Sequence, residues 1–250
     1  FAIWDGRKKR LFVARDRVGI KPLYYFWDGE RFVFGSEIKA ILLHNIERKI
    51  NKNVAKDYLN LRYMPGEETL FKGIKKLLPG HYMVLKDDEL QIEEFWNYPL
   101  PESRKDKNAV KEVKKLFGRS VRRRLISDVP VGVYLSGGLD SAAITGMVAG
   151  IKEDPVKTFS VGFDYNDKVD ELVKAKEIAR HFQTDHQEII VNEPISSMLP
   201  RILWHLDMPH GDPVIIPQFK LSELASKKVK VVLSGEGADE TFGGYVQYKK

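Results

Sequence analysis

Cysteine is absent from all 250 residues of the chain. That absence excludes disulfides, thiolate metal sites and a cysteine nucleophile within this stretch, and it fits a reducing cytoplasm. Long apolar runs are missing as well. Lys, Arg or Asp interrupts every hydrophobic stretch before it reaches the roughly 18 residues that a membrane-spanning helix needs. No charged leader with an apolar segment precedes the strand-like opening "FAIWDGRKKRLFVARD", so no signal peptide is in view. Phe1 in place of a methionine, and an uncapped ending "GGYVQYKK", set the expectation that this is the middle of a longer chain.

What is present is ordinary for a globular protein: 43% hydrophobic and 30% charged residues, enough for one large domain or two smaller ones. The net charge of +6 is scattered, and its one dense run is "GRSVRRRLISD". Arg122, Arg123 and Arg124 fall on a helical pattern, where successive side chains point about 100° apart and form no single flat patch. They read as a solvated helix surface, with an anionic ligand or partner as the alternative. Nucleic acid is not an expected partner.

The rhythm of the chain divides it in two. In residues 1–96, "FAIWD", "RLFVAR", "LYYFW" and "RFVFG" are short aromatic and β-branched runs. Asp28-Gly29 and Asp87-Asp88 mark hairpin turns. "SEIKAILLH" opens with Ser36 as the expected N-cap of a helix, and "NKNVAKDYLNLRY" predicts another. This part is expected to be an antiparallel α+β domain. Residues 97–108, "NYPLPESRKDKN", are rich in proline and charge and read as a linker. From 109 to 250, continuous apolar strands ("VPVGVYL", "VKTFSVGF", "HQEIIV", "VKVVLS") alternate with helical segments. That alternation predicts a doubly wound α/β domain whose parallel sheet is covered on both faces, with ligands at the carboxyl ends of its strands.

The first of those strand ends carries "SGGLDS". Ser136, Gly137, Gly138, Leu139, Asp140 and Ser141 form a glycine-rich turn into a helix, the setting in which backbone N–H groups bind an anion. The loop has no lysine, so it is not a Walker A loop, and it is not G-x-G-x-x-G. A carboxylate in a phosphate loop makes electrostatic sense when a cation such as Mg²⁺ stands between the two. The last strand repeats the design: Ser234, Gly235 and Glu236 follow it, with Asp239 and Glu240 beyond. If the two strands are neighbours, both loops face one crevice and Asp140 and Asp239 share a metal. Val161 and Gly162 end a third strand, where an apolar residue beside a glycine could receive a base. A purely structural glycine turn is the competing reading of either loop taken alone. His81, His186, His205 and His210 have no metal-ligand spacing. "DMPHGDP" (207–213) reads as a rigid loop near the crevice, with substrate contact the minority reading. Asp170 and Glu171 read as first-turn charges that complement a helix dipole.

These motifs resemble those of a known family. "LISDVPVGVYLSGGLDS", "FSVGF" and "VLSGEGADETFGGY", in that order, resemble the synthetase domain of glutamine-hydrolysing asparagine synthetases. "LFVARDRVGIKPLYY" and "FGSEIKAIL" resemble the end of the amidotransferase domain that precedes it. The resemblance implies an amidotransferase fold of the N-terminal-nucleophile type over 1–96. It further implies an ATP pyrophosphatase-type fold over 109–250. The implied reaction is ATP-dependent amidation of aspartate through β-aspartyl-AMP, with ammonia from glutamine. It also implies roles: Leu135, Val161, Ser234 and Gly235 at the nucleotide, Ser136, Gly137, Gly138 and Ser141 at the pyrophosphate, Asp140 and Asp239 on Mg²⁺, and Glu236 in forming and aminating the intermediate. Expected partners are small molecules (ATP, aspartate, glutamine or ammonia), with no membrane, a cytoplasmic location and a homodimer as the candidate assembly. The family's cysteine nucleophile lies upstream of Phe1, so this stretch alone is not expected to hydrolyse glutamine. Thr241 stands where many relatives have leucine. Same-scaffold enzymes acting on another acid, such as β-lactam synthetases or sugar amidotransferases, are the first alternative, and a non-catalytic nucleotide-binding protein is the second.

Overall fold

The structure, a computed structural model, describes residues 1–99, 107–163 and 169–249. It divides into two compact units, Phe1–Ser103 with Leu203–Pro213, and Arg104–Ile202 with Val214–Lys250. Of the expected linker 97–108, residues 100–106 lie outside the described residues.

The first unit is built from β1 (Ala2–Asp5), β2 (Arg10–Ala14), β3 (Tyr24–Trp27), β4 (Phe32–Gly35), α1 (Ile38–Ile41), α2 (Lys52–Leu61), β5 (Ile74–Lys76), β6 (His81–Lys86) and β7 (Glu89–Glu94). They form two antiparallel sheets, ordered β1-β2-β6-β7 and β4-β3-β5. Both expected hairpin turns are present. Gly29 has φ +98°, and the Asp28 carboxylate accepts the Glu30 and Arg31 amides while pairing with the Arg31 guanidinium at 2.8 Å. The Arg31 amide and then its guanidinium hold the Asp28 carboxyl down at about 2. Asp87 and Asp88 both adopt left-handed backbone (φ 50° and 61°), as a two-residue hairpin turn that follows the strand twist requires. The "ARDRVGIKP" stretch is a self-tied loop. The Arg15 guanidinium donates to the carbonyls of Lys21 (2.9 Å), Leu77 (2.7 Å) and Gly19 (3.1 Å), and Asp16 accepts the amides of Ile20 and Lys21.

One local expectation is overturned. Ser36 does not cap α1: the N-cap position is Glu37, which makes no side-chain cap. The cap comes from Asp207, whose Oδ2 accepts the Ile38 amide at 2.7 Å and the Lys39 amide at 3.4 Å across 169 and 168 residues of sequence.

The second unit contains α3 (Ala109–Arg124), β8 (Val131–Tyr134), α4 (Leu139–Ala149), β9 (Lys157–Phe163), α5 (Val169–His181), β10 (Asp185–Val191), α6 (Ile195–Leu206), α7 (Ile215–Ser226), β11 (Val231–Leu233) and α8 (Ala238–Phe242). The last residues of α6 belong to the first unit. All strand pairings are parallel, in the order β10-β9-β8-β11. Alternation along the strands assigns the two faces. Val131, Val133 and Leu233 pack with Val121 of α3 and Ile144 and Val148 of α4, while Leu135 packs with Ala175 and Ala179 of α5. On the other face Phe159 packs with Leu221 and Ala225 of α7. Gly132 is where it is because a Cβ there would lie 2.8 Å from the fully buried Phe159 ring. The unit is thus a doubly wound α/β layer structure, and the chain as a whole is mixed α/β, as expected.

Candidate functional site

The strand order sets which strand-end loops are neighbours. Chain succession runs outward from β8 through β9 to β10, then jumps back to place β11 on the opposite side of β8. The strand order therefore reverses between β8 and β11, and the carboxyl ends of two such strands are the topological switch point at which open α/β sheets bind ligands. Both Ser-Gly loops leave from these two strands.

The first loop is ordered from within. Ser141 is buried, donates its hydroxyl to the Gly138 carbonyl (3.1 Å), and accepts the Ser136 amide (3.2 Å). The Ser136 and Ser141 hydroxyls lie 3.1 Å apart, and Thr145 anchors the next turn through the Ser141 carbonyl at 2.8 Å. Ser141 therefore shapes the loop, whereas the exposed Ser136 and Gly138 present it to solvent. Helix α4 begins at Leu139, so its first-turn amides have no intrahelical acceptor and remain available to an anion. Gly137 takes the one left-handed step in the turn (φ +79°), and a Cβ on it would lie 2.6 Å from the Glu171 carbonyl and 2.9 Å from the Lys174 Cβ. Helix α5 thus backs the loop directly. Leu135 is the loop's floor. Its side chain is buried, and its amide donates to the Phe159 carbonyl at 2.9 Å.

The second loop touches the first. A Cβ on Gly235 would sit 3.0 Å from the Asp140 Cβ and 3.5 Å from the Ser141 amide nitrogen, so only glycine lets the loops approach this closely. Ser234 and Glu236 are exposed, and Val161 on the neighbouring strand end is half-buried. Gly237 and Gly243 bracket α8 with left-handed backbone, and the Gly244 amide bonds the Asp239 carbonyl at 3.0 Å, folding the chain back over Asp239. Thr241 donates its hydroxyl to the Gly237 carbonyl at 2.7 Å, a bond that leucine could not make. The Tyr245 hydroxyl donates to Glu240 at 2.9 Å, which pushes the phenol up to about 12.

Asp140 and Asp239 are half-buried, and among the described residues no hydrogen bond or ion pair engages either carboxylate. Two unpaired carboxylate oxygen donors, on loops in contact through Gly235, suit a hard cation that keeps most of its coordination for phosphate and water. No group of three or more metal-ligating side chains occurs among the described residues, so such an ion would depend on its anionic partner for the rest of its shell.

The other candidates fall elsewhere. His81 Nδ1 lies 2.8 Å from the Pro79 carbonyl, and His186 bridges Thr158 and Glu188. His210 Nδ1 accepts the Asp212 amide at 3.2 Å. Glu171 is exposed in the first turn of α5, and the Asp170 side chain lies outside the described residues. The 207–213 loop is part of the first unit, where it lines a pocket of about 370 Å³ together with Leu61, Arg62 and Tyr63. Sequence reasoning overlooked Asp207 as a cap and Gly244 as the residue that packs on Asp239. The doubled glycine at 243–244 was the available signal for the second.

The second unit is thus an α/β layer with two Ser-Gly loops in contact where its strand order reverses. Residues 112–250 match the family model described as Asparagine synthase, and residues 1–96 match one described as Glutamine amidotransferase domain. The chain belongs to the asparagine synthase family. It is 37% identical over 254 residues to glutamine-hydrolyzing asparagine synthetase 1 of Bacillus subtilis, covering all of this chain and 40% of the relative. A Methanocaldococcus jannaschii protein provisionally named glutamine-hydrolyzing asparagine synthetase 2 is 38% identical over 256 residues, covering 99% of this chain and 49% of that one. The chain thus spans about half the length, or less, of the curated relatives it matches. Among solved structures, the NH3-dependent NAD synthetase from Campylobacter jejuni aligns at 17% identity with a TM-score of 0.39, over 54% of this chain and 60% of that one. No described helix is long and apolar enough to cross a membrane.

Proposed function

We propose that this chain carries the ATP-binding crevice of an enzyme that converts aspartate to asparagine with ammonia drawn from glutamine. The observation that carries the reading is the pair of Ser-Gly loops at the switch point, in contact through Gly235 and Asp140. In this reading residues 1–96 belong to the amidotransferase domain, 97–108 to the linker and 109–250 to the synthetase domain.

The first-turn amides of α4, with Ser136, Gly137 and Gly138, hold the β- and γ-phosphates, and Ser141 keeps that loop in shape. Leu135, Val161, Ser234 and Gly235 bound the nucleoside side. Asp140 and Asp239 would hold Mg²⁺, which when bound would spread the negative charge that builds on the phosphates. The aspartate β-carboxylate oxygen attacks the α-phosphorus, and the bond to the β-phosphate oxygen breaks to release pyrophosphate. Ammonia then attacks the acyl carbon of β-aspartyl-AMP. Glu236 takes its proton, and AMP leaves with the former carboxylate oxygen. The amides fixed at the helix terminus need no reorganisation as the pyrophosphate charge develops, which is the economical form of electrostatic catalysis. A homodimer in the cytoplasm is the assembly and location this reading favours.

The test is product formation by the longest natural chain that carries this sequence, given ATP, Mg²⁺, aspartate and ammonium. Asparagine and pyrophosphate rising in equal amounts is the expected result. Pyrophosphate without asparagine would retain adenylation but reject aspartate as the acid. No pyrophosphate with any acid would reject the reading.

A further inference from the structure

The cap on α1 has a consequence for how nitrogen supply and nitrogen use are connected. Asp207 lies within the stretch that matches the Asparagine synthase family model, yet its side chain is built into the unit that holds the amidotransferase match. Three anchors seat the segment Leu203–Pro213 there. The Asp207 carboxylate, only 8% exposed, accepts the first amides of α1 and pairs with the Lys39 ammonium at 2.8 Å. That ammonium also lies 5.6 Å from the centroid of the Trp204 ring. Met208 packs into the core formed by Ile38, Ile41, Ile46 and Ile74. The Gly211 amide donates to the Arg62 carbonyl at 3.2 Å, where the Arg62 backbone and Cβ leave no room for a side chain on residue 211.

Both ends of the segment continue into the other unit. Upstream, Met198 and Ile202 of α6 are buried with Val191, Ile215 and Ile216, and half-buried Val161 packs on that cluster. Downstream, α7 carries Ile215, Ile216 and Leu221, which back Val161 and Phe159. The two elements that flank the segment are therefore those that support the strand end assigned to the nucleotide. Asp207 itself has left-handed backbone (φ 60°), a conformation that aspartate and asparagine tolerate better than other side-chain-bearing residues. The eleven-residue segment is thus tied at three points within its own unit, and both flanks are buried against one strand of the other.

We infer that Asp207 is a positioning residue that couples glutamine-derived nitrogen to the adenylating crevice, through its bonds to α1 and Lys39. The inference rests on the functional reading above. It predicts a separation that neither unit alone would produce: loss of Asp207 leaves use of free ammonia intact and uncouples glutamine hydrolysis from ATP cleavage.

The experiment uses the longest natural chain, with Asp207→Ala, Asp207→Asn and Lys39→Met, and measures glutamate, pyrophosphate and asparagine with glutamine or ammonium as donor. In the wild type, glutamate and pyrophosphate should form in about a one-to-one ratio, and in D207A that ratio should rise about fivefold or more, the usual lower range of coupling between sites. Ammonium-supported turnover should stay within about twofold of wild type. D207N retains an amide-accepting oxygen and should fall between wild type and D207A, while K39M removes the ion pair without touching the cap and should resemble D207N. An unchanged ratio in D207A would overturn the inference, as would equal losses with both nitrogen donors. A wild type that cleaves ATP and hydrolyses glutamine but makes no asparagine would sink the functional reading alone, because the glutamate-to-pyrophosphate ratio still reads the coupling. A wild type that cleaves no ATP would sink both.

Discussion

Asp140→Ala is expected to lower pyrophosphate formation about 10³-fold, equivalent to about 4 kcal/mol of lost transition-state stabilisation, and to leave the fold almost untouched. The two halves of this expectation have separate causes. Asp140 is half-buried in the first turn of α4, and its carboxylate makes no hydrogen bond or ion pair among the described residues, so its removal breaks no bond. Alanine keeps the Cβ that Gly235 packs against, so the contact between the two loops survives. Thermal unfolding should shift by no more than about 0.5 kcal/mol, the range of a substitution that touches no special feature. Activity should fall because a carboxylate in a phosphate loop has a favourable role only through a cation, and alanine cannot hold one. Parallel loss of stability and activity would mean that Asp140 is structural. Unimpaired pyrophosphate release would remove the loop from the chemistry.

Gly137→Ala should fail in a different way, losing stability and nucleotide affinity together. The position has φ +79°, and a Cβ there would meet the carbonyl of Glu171 and the amide of Ala175 as well as a side chain. The left-handed backbone costs a non-glycine residue roughly 1–2 kcal/mol. Forcing backbone apart in a packed region adds roughly 1–3 kcal/mol. The expected loss is therefore roughly 2–5 kcal/mol, read as a fall in denaturant midpoint without a change in its slope. Gly237→Ala is the internal control. Its φ is +86°, but nothing lies within 4 Å of the added Cβ, so only the backbone cost of roughly 1–2 kcal/mol applies. Equal losses at the two positions would show that the contact with α5 is not what holds the first loop in place.

Much of this architecture could be read from residue patterns, and the exceptions have a common cause. The short aromatic runs, the turns at Asp28-Gly29 and Asp87-Asp88, and the apolar strands of the second unit are governed by neighbours in sequence, so local rules locate them. The adjacency of β8 and β11 could only be posed as a condition, because about 100 residues separate the paired strands and no periodicity encodes which strands meet. The cap on α1 departs from the local expectation for the same reason. Ser36 satisfies the local preference for a capping residue, but Asp207 offers a charged acceptor from 169 residues away, and tertiary packing of Met208 delivers it there. Strand β5, three residues reading "IKK", is too short to carry a periodicity of its own, and its identity rests on pairing with β3. Within the site, the residue types were legible but their division of labour was not. Ser136 and Ser141 look equivalent in "SGGLDS", yet one is exposed and the other is buried and committed to the loop's own hydrogen bonds.

The measurement that bears most directly on the account follows one oxygen atom. Aspartate labelled with ¹⁸O in its β-carboxylate is turned over with ATP, Mg²⁺ and ammonium, and the AMP produced is weighed by mass spectrometry. If the carboxylate attacks the α-phosphorus at the crevice between the two Ser-Gly loops, AMP carries one labelled oxygen per asparagine formed. Labelled oxygen in inorganic phosphate instead, with ADP as the nucleotide product, would place the attack at the γ-phosphorus and contradict the assignment of these loops to the departing pyrophosphate.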